Sequence, residues 1–200
     1  MSPRQNTRLS VLSVFIGLAL AAAAGGSAAQ GTSSAAGAAS ASAGSAASVA
    51  TADKAFAMKA AAGGLAEVAL GKLAQQNGSN DQVKQFGSRM VDDHSKANDE
   101  LKQIASTKGI TLPTDVDAKH KSEMAKMQKL TGAQFDRAYM DSMVKDHKED
   151  VSDFRKESTA GKDSDIKTVA AKTLPTLQDH LKMAQSTDAA VKNTKTTASR

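Results

Sequence analysis

Apolar residues recur along most of the chain at alternating steps of four and three residues, which is the spacing of one face of an α-helix. The pattern is clearest between Phe135 and Phe154, where one face would carry Asp136, Met140, Met143, His147, Asp150 and Phe154. Three other stretches repeat the spacing. The pattern therefore predicts four helices, at about 53–77, 81–108, 132–160 and 163–186.

The breaks between these stretches carry residues that end helices. Gly78, Gly109 and Gly161 follow the first three stretches, and Pro175 inside the fourth predicts either a kink or a restart of the helix. Residues 115–130 predict a short connecting helix. Four long helices with short loops and no strand pattern predict an all-α fold, an antiparallel four-helix bundle with a short connecting helix between helices 2 and 3.

Both ends of the chain differ from this pattern. A basic start, an apolar run over 9–24 and small residues before Gln30 are typical of a secretory signal peptide over 1–29. The apolar run is shorter than the roughly 20 residues of a membrane-spanning helix. Residues 30–52 are almost all Ala, Gly and Ser and predict a disordered linker, and 189–200 predict a disordered basic tail. The bundle would then occupy 53–188 of a protein exported to the periplasm, cell envelope or exterior.

Charge and composition exclude some classes of function. The net charge is +5, but the excess lies in 1–52 and 189–200, which hold five basic residues and no acidic ones. The predicted bundle is therefore neutral, unlike a nucleic-acid-binding domain, whose positive charge is concentrated on the folded part. The chain has no cysteine, which excludes thiolate ligands and a cysteine nucleophile.

A polar residue interrupts each apolar stripe near its middle. These residues are Glu67, His94, His147 and His180. Their distances from the predicted loops put them at similar heights, so we expect all four to reach one layer of the core. The fourth histidine, His120, stands between two lysines in the connecting segment and is expected to be exposed to solvent.

Two interpretations of this layer remain open. In the first, Glu67 and Asp136 accept hydrogen bonds from the histidines, and the network fixes how the helices pack. In the second, the layer binds a transition metal, because three imidazoles and a carboxylate suit Cu, Zn or Fe. The secondary candidates for that site are Asp136, Asp150, Met90 and Met143, and the methionines, one turn before His94 and His147, would favour copper.

Four segments carry a family resemblance: AEVALGKLA at 66–74, MVDDHSKANDEL at 90–101, FDRAYMDSMVKDH at 135–147 and LPTLQDHLKMA at 174–184. Together they resemble the exported ferritin-like family called domain of unknown function 4142. The resemblance implies a ferritin-like bundle and an exported, often outer-membrane, location, with no established activity. It carries over Glu67, His94, Asp136, His147 and His180 as motif positions only.

Enzymatic activity is not expected. Ferritin-like di-iron sites use Glu-x-x-His pairs, but Val91, Val144 and Leu177 stand three residues before the three core histidines. The sequence also lacks a nucleophile elbow, a phosphate loop and an HExxH motif. It therefore predicts a non-enzymatic envelope protein whose buried Glu/His network acts in structure or interaction. The alternative is a metal-binding periplasmic protein that uses the same residues.

Overall fold

The computed structural model describes residues 48–197, with side chains described through residue 193, and these residues form five helices and no strand. The helices are α1 (Thr51–Asn77), α2 (Asp81–Thr107), α3 (Ala118–Met127), α4 (Gly132–Ala160) and α5 (Ser164–Thr197). The predicted all-α class is confirmed. The predicted signal peptide, and the linker up to residue 47, lie outside the described residues. None of the described helices is long and apolar enough to cross a membrane.

Local sequence sets most of the helix ends. Asn80 caps α2, because its Oδ1 accepts a hydrogen bond of 2.8 Å from the Gln82 backbone N–H, and Asp117 caps α3 by accepting one of 2.9 Å from the His120 N–H. Gly109, just after α2, adopts a φ of 64°, which lies in the left-handed region that favours glycine.

The helices pack as two hairpins. The most extensive contacts join α1 to α2 and α4 to α5, while contacts of α1 with α4 and of α2 with α5 bring the hairpins together. The short helix α3 packs against α1 and α4. Within the first hairpin the backbones come very close, since a Cβ placed on Gly87 would lie 2.8 Å from the Gly71 carbonyl oxygen.

Two buried aspartates connect the hairpins through their loops. Asp53, in the first turn of α1, accepts hydrogen bonds from the backbone N–H groups of Lys162 (2.9 Å) and Asp163 (2.6 Å), in the loop between α4 and α5. Asp136, in the first turns of α4, accepts hydrogen bonds from Ser79, in the loop between α1 and α2. Each hairpin therefore supplies the carboxylate that holds the other hairpin's loop.

The apolar core lies in two parts, one towards each end of the bundle. The larger part is near the α1–α2 loop and includes Leu70, Phe86, Met90, Tyr139 and Met143. The smaller part is near the α4–α5 loop and includes Ala61, Leu101, Ile166 and Val169. Four buried polar residues lie along their helices between these parts: Glu67, His94, His147 and His180.

The end of the chain differs from the prediction. Helix α5 continues to Thr197 instead of ending near residue 186, so among the described residues it extends into the segment from residue 189 that was expected to be a disordered tail. The apolar face continues through Val191, which is 4 % exposed, and Lys192 pairs with Asp141 at 2.6 Å and with Asp188 at 2.7 Å. These contacts extend the helix past the predicted end. Pro175 lies inside the same uninterrupted helix, so of the two predicted alternatives, a kink or a restart, the restart is excluded.

Candidate metal centre

Three histidines from three different helices meet in the core. His94 comes from α2, His147 from α4 and His180 from α5, and none is more than 6 % exposed. One ring nitrogen of each lies within 4.8 Å of the corresponding nitrogens of the other two. The ring centroids are 5.4 to 5.8 Å apart. This arrangement allows one ion to contact all three rings.

Each ring is held through one of its two nitrogens. His94 Nδ1 lies 2.8 Å from Glu67 Oε2, His147 Nδ1 lies 2.9 Å from the Met143 carbonyl oxygen, and His180 Nε2 lies 2.9 Å from Asp93 Oδ2. The Met143 carbonyl requires a proton on His147 Nδ1, and the ionised carboxylates of Glu67 and Asp93 require one on His94 Nδ1 and on His180 Nε2. The other nitrogens are His94 Nε2, His147 Nε2 and His180 Nδ1, and none has a hydrogen-bond partner. Histidines that ligate metals show this division, with one nitrogen oriented by an acceptor and the other free to coordinate.

Burial keeps these rings neutral. Loss of solvation lowers the pKa of His94 to about 4, and it lowers the pKa of His180 to about 4 against the opposing effect of the Asp93 hydrogen bond. The pKa of His147 is also lowered by burial, although the nearby Glu67 opposes that shift. A neutral imidazole has the lone pair that coordination requires. The three free nitrogens are therefore available to a metal at neutral pH.

Glu67 stands beside the three histidines and is not part of the converging group. Its carboxylate is 4 % exposed, and its Oε1 has no hydrogen-bond partner and lies 3.5 Å from His147 Nε2. Burial raises the pKa of Glu67 to about 7. The pKa of Asp150 is raised well above its usual range, first by burial and then by Glu67. Glu67 therefore orients His94, and its charge acts on the half-buried carboxyl group of Asp150.

The other predicted candidates lie elsewhere. Asp136 accepts hydrogen bonds from the Ser79 N–H (3.0 Å), the Ser79 hydroxyl (2.6 Å) and the Asn80 N–H (3.0 Å), so the expectation that it bonds the histidines is wrong. It shares a helix face with His147 but sits near the start of α4, next to the loop that it holds. Met90 and Met143 are fully buried in the larger apolar part of the core.

Two residues near the site were not predicted. Asp93 bonds His180 and also accepts a hydrogen bond of 3.0 Å from Arg89 Nε. It is adjacent to His94 in the sequence, but only the packing of α5 against α2 shows that it meets His180. His120 was expected to be exposed, yet its side chain is only 15 % exposed, because α3 packs against α1 and α4. Its Nδ1 lies 2.9 Å from Asp117 Oδ1.

Three openings adjoin the site, and the smallest, of about 30 Å³, is lined by Glu67 and His94. A groove of about 270 Å³ between α2 and α5 is lined by Asp93, His94 and His180, among other residues. A cavity of about 200 Å³ at α1, α4 and the segment containing α3 is lined by Glu67 and by Asp146, Asp150 and His120. The two larger openings are therefore a groove lined by two of the histidine rings and an acidic cavity lined by Glu67.

One comparison with known proteins, a scan against protein-family models, finds a matching family. A protein-family profile described as Domain of unknown function (DUF4142) matches residues 38–187, which include every residue of the candidate site. A search of curated proteins finds no match, and a search of solved structures finds none either.

Proposed function

The chain belongs to the family of domain of unknown function DUF4142, and we propose that it binds one transition-metal ion through His94, His147 and His180. The observation that carries this proposal is the convergence of three buried imidazoles, each with one nitrogen held by an acceptor and the other nitrogen unpaired. Imidazole nitrogen suits Zn, Cu and Fe. The proposal concerns binding, and it assigns no reaction to the protein.

The spacing of the ligands fits an ion after small ring movements. Four ligands around a tetrahedral ion with bonds of about 2.1 Å lie about 3.4 Å from one another. One ring nitrogen of each histidine lies within 4.8 Å of the chosen nitrogens of the other two, so modest rotations about the side-chain bonds would bring three nitrogens to that spacing. Three protein ligands leave a fourth position for water or another small ligand. The groove lined by His94 and His180 is the nearest route by which such a ligand would arrive.

A purely structural network explains less of the geometry. It accounts for the hydrogen bonds from His94 to Glu67 and from His180 to Asp93. It leaves three buried ring nitrogens without partners, at a cost of about 1–3 kcal/mol for each such group. A bound metal gives all three a partner. We therefore favour metal binding, with the carboxylates orienting the ligands.

Fold type and location complete the proposal. Two helical hairpins joined through α3, with a site in the middle of the core, support a ferritin-like arrangement. The basic start, the apolar run and the small residues before Gln30 support export to the periplasm or cell envelope. Recovery of an intact Met1 form from the cytoplasm would rule out this export. Mass spectrometry of the exported protein should find a mature chain that begins near Gln30.

Thermal unfolding with and without metal tests the binding site. A ligand present at 100 times its Kd stabilises the folded state by about 2.7 kcal/mol, which raises the Tm of a protein of this size by roughly 5–11 °C. We expect added Zn²⁺ to raise the Tm of the wild type, a chelator to reverse that rise, and His147→Ala to abolish it. His120→Ala, which removes the histidine outside the cluster, is the matched control and should keep the response. Identical wild-type melts with chelator and with Zn²⁺, Cu²⁺ or Fe²⁺ would refute the proposal.

A further inference from the structure

The smallest opening beside the histidine cluster suits one kind of small molecule. We propose that the metal held by the three histidines takes an uncharged diatomic ligand, such as carbon monoxide, and that this ligand occupies the opening. We call this space the central cavity, which has a volume of about 30 Å³ and is lined by Glu67 and His94. Because the ligand binds the metal, its assignment rests on the metal binding proposed above.

The central cavity continues from the histidine cluster along the axis of the bundle. All four long helices line it, and the lining residues include Gly64 of α1, Ala97 and Leu101 of α2, Phe154 of α4 and Leu177 of α5. Each of these residues stands three or seven positions from the buried polar residue of its own helix, on the side nearer the α4–α5 loop. Residues at that spacing share a helix face, so the cavity begins where the histidine cluster ends. His94, whose Nε2 has no hydrogen-bond partner, forms part of the wall.

The walls of the central cavity are mostly apolar. Besides the apolar residues already named, they include Phe56, Ala60 and Val169, and Asn98 and Thr173 add polar atoms. Among the described residues, no lysine or arginine lines the cavity, whereas the carboxyl groups of Glu67 and Asp150 do. An anion in the cavity would lie against both carboxyl groups, so its transfer from water costs free energy. These surroundings therefore favour an uncharged ligand over an anion such as chloride.

The size of the central cavity limits the ligand to very few atoms. On the same measure one water needs about 10–15 Å³, so about 30 Å³ has room for a molecule of two heavy atoms and excludes an organic substrate. The polarity of a pocket beside a metal, and access to it, decide which small molecules the metal binds. Imidazole ligands suit copper and iron, and carbon monoxide binds Cu⁺ through one Cu–C bond, without transfer of an electron or a proton.

The central cavity also has a connection to the surface. His94, Ala97, Thr173 and Leu177 line both this cavity and the groove between α2 and α5. The groove therefore leads from solvent to the cavity, and the half-buried Ala97 and Thr173 stand at the junction. A larger side chain at position 97 should narrow this passage and slow the entry of a ligand.

Infrared spectroscopy of the full chain, loaded with one equivalent of Cu⁺ and exposed to carbon monoxide, tests the ligand class. We expect one band of Cu⁺-bound carbon monoxide, which shifts with the isotopically labelled gas and persists in excess chloride. Ala60→Leu fills the central cavity and should weaken carbon monoxide binding by about tenfold or more, while the Cu⁺ affinity, measured by competition with a chelator, stays the same. The control Ala171→Leu makes the same change at an exposed position of α5 and should bind both normally.

The outcomes of the two proposals are distinguishable. A wild type that holds Cu⁺ against the chelator and shows no carbon monoxide band would overturn the ligand class and leave the histidine site supported. Displacement of carbon monoxide by chloride would show that the position accepts anions, which would also overturn it, and failure to hold Cu⁺ would overturn both proposals. If Ala60→Leu does not fold by circular dichroism, Ala97→Leu is measured in its place, and carbon monoxide binding as fast as in the wild type would count against the cavity.

Discussion

Replacing His180 with glutamine should make the metal-free protein less sensitive to acid. His180 is fully buried, and burial lowers the pKa of its imidazole from an ordinary value of 6.5 to about 4. Below pH 6.5 the unfolded chain therefore takes up a proton at this residue that the folded protein does not. The contribution of His180 to the free energy of unfolding is fully present above pH 6.5 and is lost as the pH falls towards 4. Glutamine does not titrate, and its amide still reaches Asp93 as a donor.

The size of the effect follows from the two pKa values. A shift of about 2.5 units corresponds to about 3.4 kcal/mol when the pH has fallen past both values. At pH 5 the unfolded imidazole is almost fully protonated and the folded one is largely neutral, so about 2 kcal/mol of this has been lost. Other groups titrate over the same range, including Glu67, whose raised pKa acts in the opposite direction. The contributions of groups that do not interact with His180 cancel when wild type and variant are compared at each pH.

Urea unfolding in the presence of a chelator, at pH 7 and at pH 5, measures this difference. We expect the advantage of the wild type over His180→Gln to shrink by about 2 kcal/mol between the two conditions. The chelator is necessary because a bound metal would itself dissociate as the histidines become protonated. A stability difference that is the same at pH 7 and pH 5 would refute the reasoning, since it would mean that His180 titrates alike in the folded and unfolded chains.

Two further predictions concern the packing. Asp136→Ala removes the carboxylate that holds the α1–α2 loop and should lower the free energy of unfolding, measured with urea, by on the order of 3 kcal/mol. The control Asp141→Ala, at an exposed ion pair, should lower it by less than about 1 kcal/mol. Equal losses in the two variants would contradict this prediction. Gly87→Ala places a Cβ 2.7 Å from a side-chain atom of α1 and should destabilise the protein by about 2 kcal/mol. Gly63→Ala meets no atom within 4 Å and should instead stabilise its helix by up to about 1 kcal/mol. A Tm of Gly87→Ala that does not fall would count against the close α1–α2 packing.

The sequence was sufficient to predict features that depend on helix geometry alone. The rise per residue is constant, so counting from the loops places His94, His147 and His180 at similar heights, and the structure brings these three together. The same spacing put Asp136 on the face of His147, but a shared face does not specify depth along the bundle, and Asp136 meets a loop instead.

Features that depend on which helices are neighbours were not predictable in this way. The contact of Asp93 with His180 requires α2 and α5 to be adjacent, and a stripe pattern does not determine which helices pair. The burial of His120 requires α3 to lie against α1 and α4, whereas its sequence context of two lysines favours solvent. The length of α5 was underestimated because polar residues around Val191 conceal a continuing buried face.

The division of the bundle into two hairpins has a consequence for the order of assembly. His94 belongs to the first hairpin, while His147 and His180 belong to the second, so the three-histidine site exists only after the hairpins have docked. A metal at this site would act as a cross-link between the two hairpins. It would slow the separation of the hairpins more than it slows fraying within either of them. Hydrogen exchange along the inner faces of all four long helices would then report one shared opening event, and the rate of metal release would be limited by that event.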